Sequence, residues 1–208
     1  MNAKTIAPAS IVIPTIPGTP FRGGFYVARY QIDGVERALI VAPKAAGELS
    51  PERWSRISPR VDGALSFVDG LANTRAMAEA GSALAKAALA LRIGEFDDWC
   101  IPARDQIELL YRFFKPTGQK NWCCRGDNPS SLPPRFAYMP DDPAQTVIEA
   151  FKAGGAEAFE TDNGYWSSTQ SAGGDGFAWY QDFDNGGQND GRKVYELLAR
   201  AVRSEPIR

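Results

Sequence analysis

The segment from Gly164 to Lys193 restricts the fold of this chain more than any other: "GYWSSTQSAGGDGFAWYQDFDNGGQNDGRK". Its two aromatic-rich runs, Gly164–Thr169 and Phe177–Phe183, have the composition of β-strands, and Gly, Ser, Asp and Asn separate them. The segment therefore predicts strands joined by irregular polar loops. Alternation in the second run predicts that one face carries Phe177, Trp179, Gln181 and Phe183 and the other Tyr180, Asp182 and Asp184.

Composition supports many turns and argues against several classes of partner. The 208 residues include 20 glycines and 15 prolines, which is typical of irregular connections rather than a helical bundle. A net charge of -2 without a Lys/Arg run argues against a nucleic-acid partner. The sequence has no run of about 18 apolar residues, so we do not expect insertion into a membrane. The N-terminus is a poor signal peptide, so we expect synthesis in a cytoplasm without export by the general route.

The chain divides into a short arm and one domain. Four prolines make residues 1–22 an extended arm for attachment or oligomerisation, and residues 23–208 form the domain. At the start of the domain, Gly24–Pro43 reads as a β-hairpin around a type I′ turn at Asp33-Gly34.

Periodicity predicts helices in the middle of the chain and a strand at its end. Helical spacing covers Leu71–Gly94 as one long helix, and a second helix centred on Ile107–Phe114 stops at Pro116. A short buried strand at 99–102 precedes the second helix, and an irregular excursion over 117–142 follows it. Further elements are a helix over Pro143–Lys152 capped by Asp142, and a last strand over Lys193–Arg203.

Cysteine and histidine content limits the available chemistry. The chain has no histidine, which excludes Ser-His-Asp and Cys-His catalysis and removes the commonest zinc ligand. Three cysteines, Cys100, Cys123 and Cys124, do not make a disulfide framework. Two alternatives stay open: free thiols, or a disulfide from Cys100 to one of the other two.

Polar loops and acidic pairs each have a structural and a chemical interpretation. "SAGGDGF" lacks the Lys-Ser/Thr of a phosphate-binding loop. "FDNGGQNDG" has the composition of a calcium loop without its ligand spacing, so we favour a solvated turn. For Asp97-Asp98, Asp141-Asp142 and Glu157/Glu160, helix caps and solvated charge are favoured over acid–base chemistry.

The aromatic side chains of the segment fall into a core group and an outward-facing group. We expect Trp166, Trp179 and Phe183 to pack in the core. Tyr165 and Tyr180 are expected to point outward, where a tyrosine ring could stack on a sugar or anchor a protein partner.

Several short motifs occur in an order that resembles a known family. They are "DDWCIPARDQIELLY" from Asp97, "GYWSSTQ" from Gly164, "AWYQDF" followed by Asn-Gly-Gly, and "ARAVR" from Ala199. In this order they resemble the Lcl C-terminal-like (DUF1566) family over about residues 94–203. Upstream, "GGFYVARYQIDGVERALIVAP" and "GALSFVDGLANT" resemble the form that this family takes in tailed phages and prophages.

The resemblance implies an α+β fold of the C-type lectin-like kind, with a small twisted antiparallel sheet, two main helices and long irregular loops. Variable proteins of diversity-generating retroelements and formylglycine-generating enzymes share this fold. In it the first and last strands pair, so the hairpin at 24–43 would lie beside Lys193–Arg203. The resemblance implies structural roles for Trp99, Pro102, Trp166, Trp179, Phe183 and Arg203.

The same resemblance implies a ligand-binding surface on the loops of 164–193. Calcium-dependent lectin signatures and the cysteine pair of formylglycine-generating enzymes are absent, so we expect no metal, no cofactor and no catalytic residue. The ligand-facing residues that it implies are Gln170, Ser171, Asp175, Tyr180, Asp182, Asp184, Asn185, Gln188, Asn189 and Asp190.

The function that the resemblance implies is host adhesion by a phage tail-tip or tail-fibre protein. The partners would be a bacterial surface receptor (pilus, polysaccharide or outer-membrane protein), other tail proteins and further copies of the chain, most simply in a homotrimer. The protein would be made in the host cytoplasm and reside in the virion tail. Alternatives are a structural virion protein without receptor contact, an enzyme related to formylglycine generators that uses Cys123 and Cys124, and a loop diversified by a retroelement.

Overall fold

Short strands dominate the structure, as the aromatic and β-branched runs predict. The computed structural model describes residues 12–56, 60–123 and 125–207 and has an α+β architecture with mainly antiparallel sheets and few helices. In chain order the strands are β1 (Pro20–Phe21), β2 (Gly24–Ile32), β3 (Val35–Val41), β4 (Glu48–Arg53), β5 (Ser131–Leu132), β6 (Tyr165–Gln170), β7 (Phe177–Gln181), β8 (Gln188–Arg192), β9 (Glu196–Arg200) and β10 (Val202–Pro206). The helices are α1 (Lys44–Gly47), α2 (Gly70–Glu79), α3 (Ala83–Leu89) and α4 (Arg104–Phe114), with 3₁₀ turns at Asp62–Ala64 and Glu149–Phe151.

The first sheet is built on the predicted hairpin. Its strand order is β1-β2-β3-β10, and β5 also pairs with β2. Asp33 and Gly34 both have positive φ, 50° and 77°, as a type I′ turn requires, so the predicted turn is confirmed. β10 runs antiparallel to β3, with Val202 opposite Val41. The expected pairing of Lys193–Arg203 with the hairpin is therefore confirmed for Val202 and Arg203 alone, and its partner is the second strand of the hairpin rather than the first strand.

The second sheet carries the aromatic segment. Its order is β4-β9-β6-β7-β8, antiparallel except where β6 and β9 run parallel. β6 and β7 confirm the first two predicted strands of the segment. β8 lies in "QNDGR", which the polar composition assigned to a loop, and that assignment is wrong. In the described part of the chain β8 is the edge strand of this sheet, and its side chains at Asn189, Asp190 and Arg192 are at least partly exposed.

The predicted long helix over Leu71–Gly94 is wrong, because the chain forms α2 and α3 instead. Gly81 adopts φ +97° after the end of α2. The Ser82 N–H donates to Met77 O (2.9 Å) and the Gly81 N–H to Ala78 O (3.0 Å), a Schellman termination. The Ser82 hydroxyl then accepts from the Ala85 N–H and begins α3.

The predicted helix over Pro143–Lys152 is also wrong, since only Glu149–Phe151 form a 3₁₀ turn. The end of α4 competes for the hydrogen bonds of this segment. The Thr146 N–H donates to Lys115 O (2.9 Å) and the Ala153 N–H to Pro116 O (3.0 Å). These tertiary bonds replace the intrahelical pattern.

The predicted last strand over Lys193–Arg203 is split between the two sheets. β9 belongs to the second sheet, and β10 belongs to the first. Between them the Ala201 N–H donates to Gly47 O (2.8 Å), while Ala201 O accepts from the Ala42 N–H (2.9 Å). Since both backbone groups of Ala201 are satisfied, the chain crosses from one sheet to the other without a loop.

The core lies between the sheets and the helices. α4 buries Ile107, Leu110, Tyr111 and Phe114, as its spacing predicts, and Pro116 follows its end. The predicted strand at 99–102 is reduced to a single bridge between Cys100 and Val202. Residues 1–11 of the predicted arm lie outside the described residues, and the end of the arm pairs with β2 as β1.

Candidate functional site

The β7–β8 hairpin displays the predicted surface on its two faces. Register places Trp179 opposite Asp190 and Gln181 opposite Gln188, so these four side chains share one face with Phe177 and Arg192. Tyr180 stands opposite Asn189 on the other face. We call the first the tryptophan face. The second is the tyrosine face, which comprises Tyr180, Asp182, Asn185 and Asn189 with Gly164, Gly187 and Gly191.

The tyrosine face is centred on a half-buried ring. Tyr180 packs edge-on against the buried Trp166, with ring centroids 6.2 Å apart and planes at 85°. A Cβ atom on Gly164 or Gly191 would lie 2.9 or 3.3 Å from the Tyr180 ring, so the missing side chains let the ring lie against the backbone. Burial and the Asp182 carboxyl raise the pKa of Tyr180, which keeps its hydroxyl protonated as a hydrogen-bonding group.

Three polar side chains converge beside this ring, at Gly187. The point that a Gly187 Cβ would occupy lies 3.1 Å from Asn185 Oδ1, 3.2 Å from Asp182 Oδ2 and 3.4 Å from Asn189 Nδ2. The set offers two acceptors and one donor next to an aromatic ring. Such a combination can take a pair of hydroxyl groups or a backbone amide of a ligand. We call these atoms the Gly187 cradle.

The turn over 182–187 holds the cradle in place. The Asp182 N–H donates to Gly187 O (2.9 Å), and the Gly187 N–H donates to Asn185 Oδ1 (2.8 Å). Gly186 has φ +78° and packs on the ring of Tyr111, where a side chain would collide. Burial, followed by the neighbouring Asp184, raises the pKa of Asp182 to about 6.

Hydrogen bonds to backbone carbonyls join this turn to the irregular excursion over 117–142. Asp184 O accepts from the Thr117 hydroxyl (3.2 Å), and Asn185 O accepts from the Trp122 N–H (2.7 Å). The Trp122 side chain is 61% exposed and so extends the surface beyond the hairpin. Sequence reasoning missed Trp122, because its place beside Asn185 depends on a contact between residues distant in the chain.

Three residues of the predicted ligand-facing set are buried and bound internally. Gln170 Oε1 accepts from Lys193 Nζ (2.6 Å) and from the Val61 N–H (2.8 Å). The Ser171 hydroxyl donates to Asp190 Oδ2 (2.8 Å). Gln188 Nε2 donates to Arg104 O (3.0 Å). Gln170, Ser171 and Gln188 therefore fix the hairpin rather than face solvent.

The other predicted residues reach the surface at different places. Tyr180, Asp182, Asn185 and Asn189 share the tyrosine face. Asp184 lies half-buried in the turn, and Asp190 is exposed on the tryptophan face. Asp175 is exposed on the β6–β7 loop, where it pairs with Arg60 at 3.4 Å. The prediction that Tyr165 points outward is wrong, because Tyr165 is fully buried and donates from its hydroxyl to Glu48 (2.8 Å).

The residues expected in the core are buried, with one exception. Trp99, Pro102, Trp166, Phe183 and Arg203 are buried. Trp179 is only half-buried, since its ring is covered by Arg104 rather than by the apolar core.

The two described cysteines are free thiols, and Asp98, Glu157 and Glu160 form ion pairs. Cys100 is a buried free thiol whose pKa burial raises, while Cys123 is free and exposed, and Cys124 lies outside the described residues. Asp98 pairs with Arg203 (2.6 Å), Glu157 with Arg200 (2.7 Å), and Glu160 with Lys44. In residues 12–56, 60–123 and 125–207, no three Cys, Asp or Glu side chains form a group that could hold a metal ion.

Comparisons with known proteins leave the family resemblance as a prediction. Within the described ranges, no helix is both long and apolar enough to cross a membrane. No family model, curated protein or solved structure matches this chain.

Proposed function

We propose that this protein is the host-receptor-binding protein of a phage tail tip or tail fibre, and that its domain is C-type lectin-like. The observation that carries the proposal is the Gly187 cradle beside the Tyr180 ring. A half-exposed aromatic ring next to convergent acceptors and a donor suits recognition of a sugar or a peptide on a cell surface. The pairing of β10 with the first hairpin agrees with the lectin-like arrangement.

The scaffold supports such a role because the binding loops stand on rigid elements. β6 is buried along its whole length, and the turn over 182–187 is tied to the hairpin and to the excursion by backbone bonds. A preorganised surface loses little conformational entropy on binding. Display of several copies on a tail, with a homotrimer as the simplest case, would add avidity to weak single contacts.

Adsorption by engineered virions tests this proposal. The double variant Tyr180→Ala/Asp182→Ala removes the ring and one wall of the cradle, and we expect adsorption to fall at least about tenfold, the loss of roughly 1.4 kcal/mol of binding energy. The control is Glu149→Ala/Lys152→Ala, an exposed ion pair on a different element. Normal adsorption by intact double-variant particles would refute the proposal.

A second candidate is a structural tail protein, and a separate observation favours it. The excursion exposes Phe136 and Met139, which are 81% and 63% accessible, on either side of the buried Tyr138. Apolar side chains of this size are commonly covered by another subunit. On this alternative, Phe136→Ser/Met139→Ser would prevent particle assembly, whereas Tyr180→Ala/Asp182→Ala would leave adsorption unchanged.

A further inference from the structure

Arg104 contacts two aromatic rings at the tryptophan face. Its guanidinium carbon is 4.7 Å from the centroid of the Phe67 ring and 4.9 Å from that of the Trp179 ring. The two rings meet edge-on at 6.3 Å. Cation–π contacts with two nearly perpendicular rings restrain the guanidinium. The Arg104 side chain keeps 17% of its surface exposed.

The backbone of Arg104 is held as firmly as its side chain. Its N–H donates to Thr169 Oγ1 (3.0 Å), and its carbonyl accepts from Gln188 Nε2 (3.0 Å). The strand β6, the strand β8 and the start of α4 therefore meet at this residue. Because three elements fix the backbone at Arg104, its side chain is preorganised for a partner.

The positive charge of Arg104 is poorly neutralised. Within the described part of the chain its carboxylate neighbour is Asp105, at 3.5 Å from Nη1. Burial raises the pKa of Asp105 to about 7, so this carboxyl neutralises Arg104 less completely than a solvent-exposed aspartate would. Arg104 Nε, Trp179 Nε1 and Gln188 Oε1 are buried without a hydrogen-bond partner among the described residues. Gln188 itself is 1% exposed.

Exposed aromatic and basic side chains continue from this point. Phe67 and Phe177 are 40% and 37% exposed, and Phe177 follows Trp179 along the same face. Arg192 stands opposite Phe177 and is exposed. Phe177 and Trp179 are alternate residues of β7, about 7 Å apart along the strand, and Phe67 lies against Trp179. We call these three rings the strip.

We propose that this strip binds an acidic polysaccharide, with a uronate carboxylate held by the edge of Arg104 and sugar rings stacked on Phe67, Trp179 and Phe177. The inference rests on the proposed receptor-binding function and names its receptor class. Aromatic rings stack on the apolar faces of sugars, and a guanidinium donates hydrogen bonds to a carboxylate. Arg192 supplies a second positive charge along the strip. The Asp190 carboxylate, opposite Trp179, offers an acceptor to sugar hydroxyls.

Titration calorimetry with uronate oligosaccharides tests the proposal. The probes are galacturonate, mannuronate and glucuronate oligomers, each beside its carboxyl-methylated form, which keeps the sugar and removes the charge. We expect at least one uronate series to bind, and its methylated form to bind at least about tenfold more weakly. Poly-glutamate of equal length is the peptide control and is expected to bind no better than the methylated sugars.

Variants place the binding on this strip. Arg104→Gln should lower uronate affinity at least about tenfold, and Phe177→Ala should lower it for the charged and the methylated forms alike. Arg60→Gln, which changes an exposed arginine outside the strip, should have no effect. Unchanged binding by Arg104→Gln, equal binding of charged and methylated sugars, or binding of poly-glutamate as tight as that of uronate would each overturn the proposal.

Failure of this inference is distinguishable from failure of the proposed function. If no uronate binds, but Tyr180→Ala/Asp182→Ala virions lose adsorption, the receptor is not an acidic polysaccharide and the proposed function stands. If uronates bind but Arg104→Gln virions adsorb normally, the strip does not serve host recognition and the inference falls.

Discussion

Asp182 and Asn189 meet above Gly187, where Asp182 Oδ2 and Asn189 Nδ2 lie 3.2 and 3.4 Å from the point that a Cβ atom would occupy. These distances are shorter than ordinary van der Waals contacts, so a methyl group at Gly187 would press on the polar atoms of the cradle. No positive φ at Gly187 demands glycine, so the backbone alone does not explain the residue. On the proposed function, a ligand would bind the three polar atoms that the missing Gly187 side chain leaves uncovered.

The first prediction follows from that space. Gly187→Ala should place a methyl group in the cradle and reduce cell binding at least about tenfold, while the free energy of unfolding changes by less than about 1 kcal/mol, since flexible side chains can yield. Cell binding and urea denaturation measure the two effects. Gly173→Ala is the control, because the nearest atom to its new methyl, the Ser171 hydroxyl oxygen, is 3.7 Å away. Full binding by Gly187→Ala would show that the cradle is not used.

The second prediction concerns the buried charge of Arg200. This side chain is fully buried, and its Nη2 donates to Glu157 (2.7 Å) while its Nη1 donates to Glu48 (3.2 Å). Burial lowers the pKa of Arg200, and the two carboxylates oppose that effect. Glu157→Ala should cost about 3 kcal/mol of unfolding free energy, because it leaves a buried cation with one partner fewer.

Chemical denaturation compares this variant with a solvent-exposed ion pair. Glu149 is 84% exposed in its pair with Lys152, so Glu149→Ala should cost less than about 0.5 kcal/mol. Equal costs for the two variants would contradict a stabilising role for the buried network.

The third prediction is a pH dependence from Asp105. Burial is the main cause of its raised pKa, from 3.8 to about 7, with Arg104 opposing and Glu108 adding to the shift. Because the folded pKa lies above the unfolded one, the folded state holds more protons in this range. Stability is thus highest below about pH 4 as far as this group is concerned, and it falls as the pH rises to about 7.

Asp105→Asn removes this titration. Between pH 4 and 8 the wild-type protein should lose about 4 kcal/mol more unfolding free energy than the variant, as measured by urea denaturation at each pH. Parallel pH profiles for the two proteins would show that Asp105 titrates normally.

Local signals in the sequence predicted the elements that local chemistry determines. Asp33-Gly34 has positive φ at both positions, and the apolar residues that repeat with helical period over Ile107–Phe114 are buried in α4. The break between α2 and α3 also has a local signal, a glycine at 81 followed by a capping serine at 82. The high helix propensity of the alanines on both sides favoured a continuous helix and hid this signal.

Tertiary contacts determined what the sequence could not predict. Ala201 passes from one sheet to the other because Ala42 and Gly47 supply its hydrogen bonds. Gln170 and Gln188 look like surface residues in composition, yet they are buried and form hydrogen bonds with Lys193 and Arg104 inside the fold. The contacts of Arg104 with Phe67 and Trp179 join three segments far apart in the chain, so no motif reveals them.

Binding of fluorescently labelled protein to whole cells of a candidate host tests the central claim most directly. We predict saturable binding that free virions compete away, that Tyr180→Ala/Asp182→Ala weakens at least about tenfold, and that calcium or a chelator leaves unchanged. The Glu149→Ala/Lys152→Ala protein should bind like the wild type. Absence of binding by the folded, assembled protein, or equal binding by the tyrosine-face variant, would contradict the receptor-binding account.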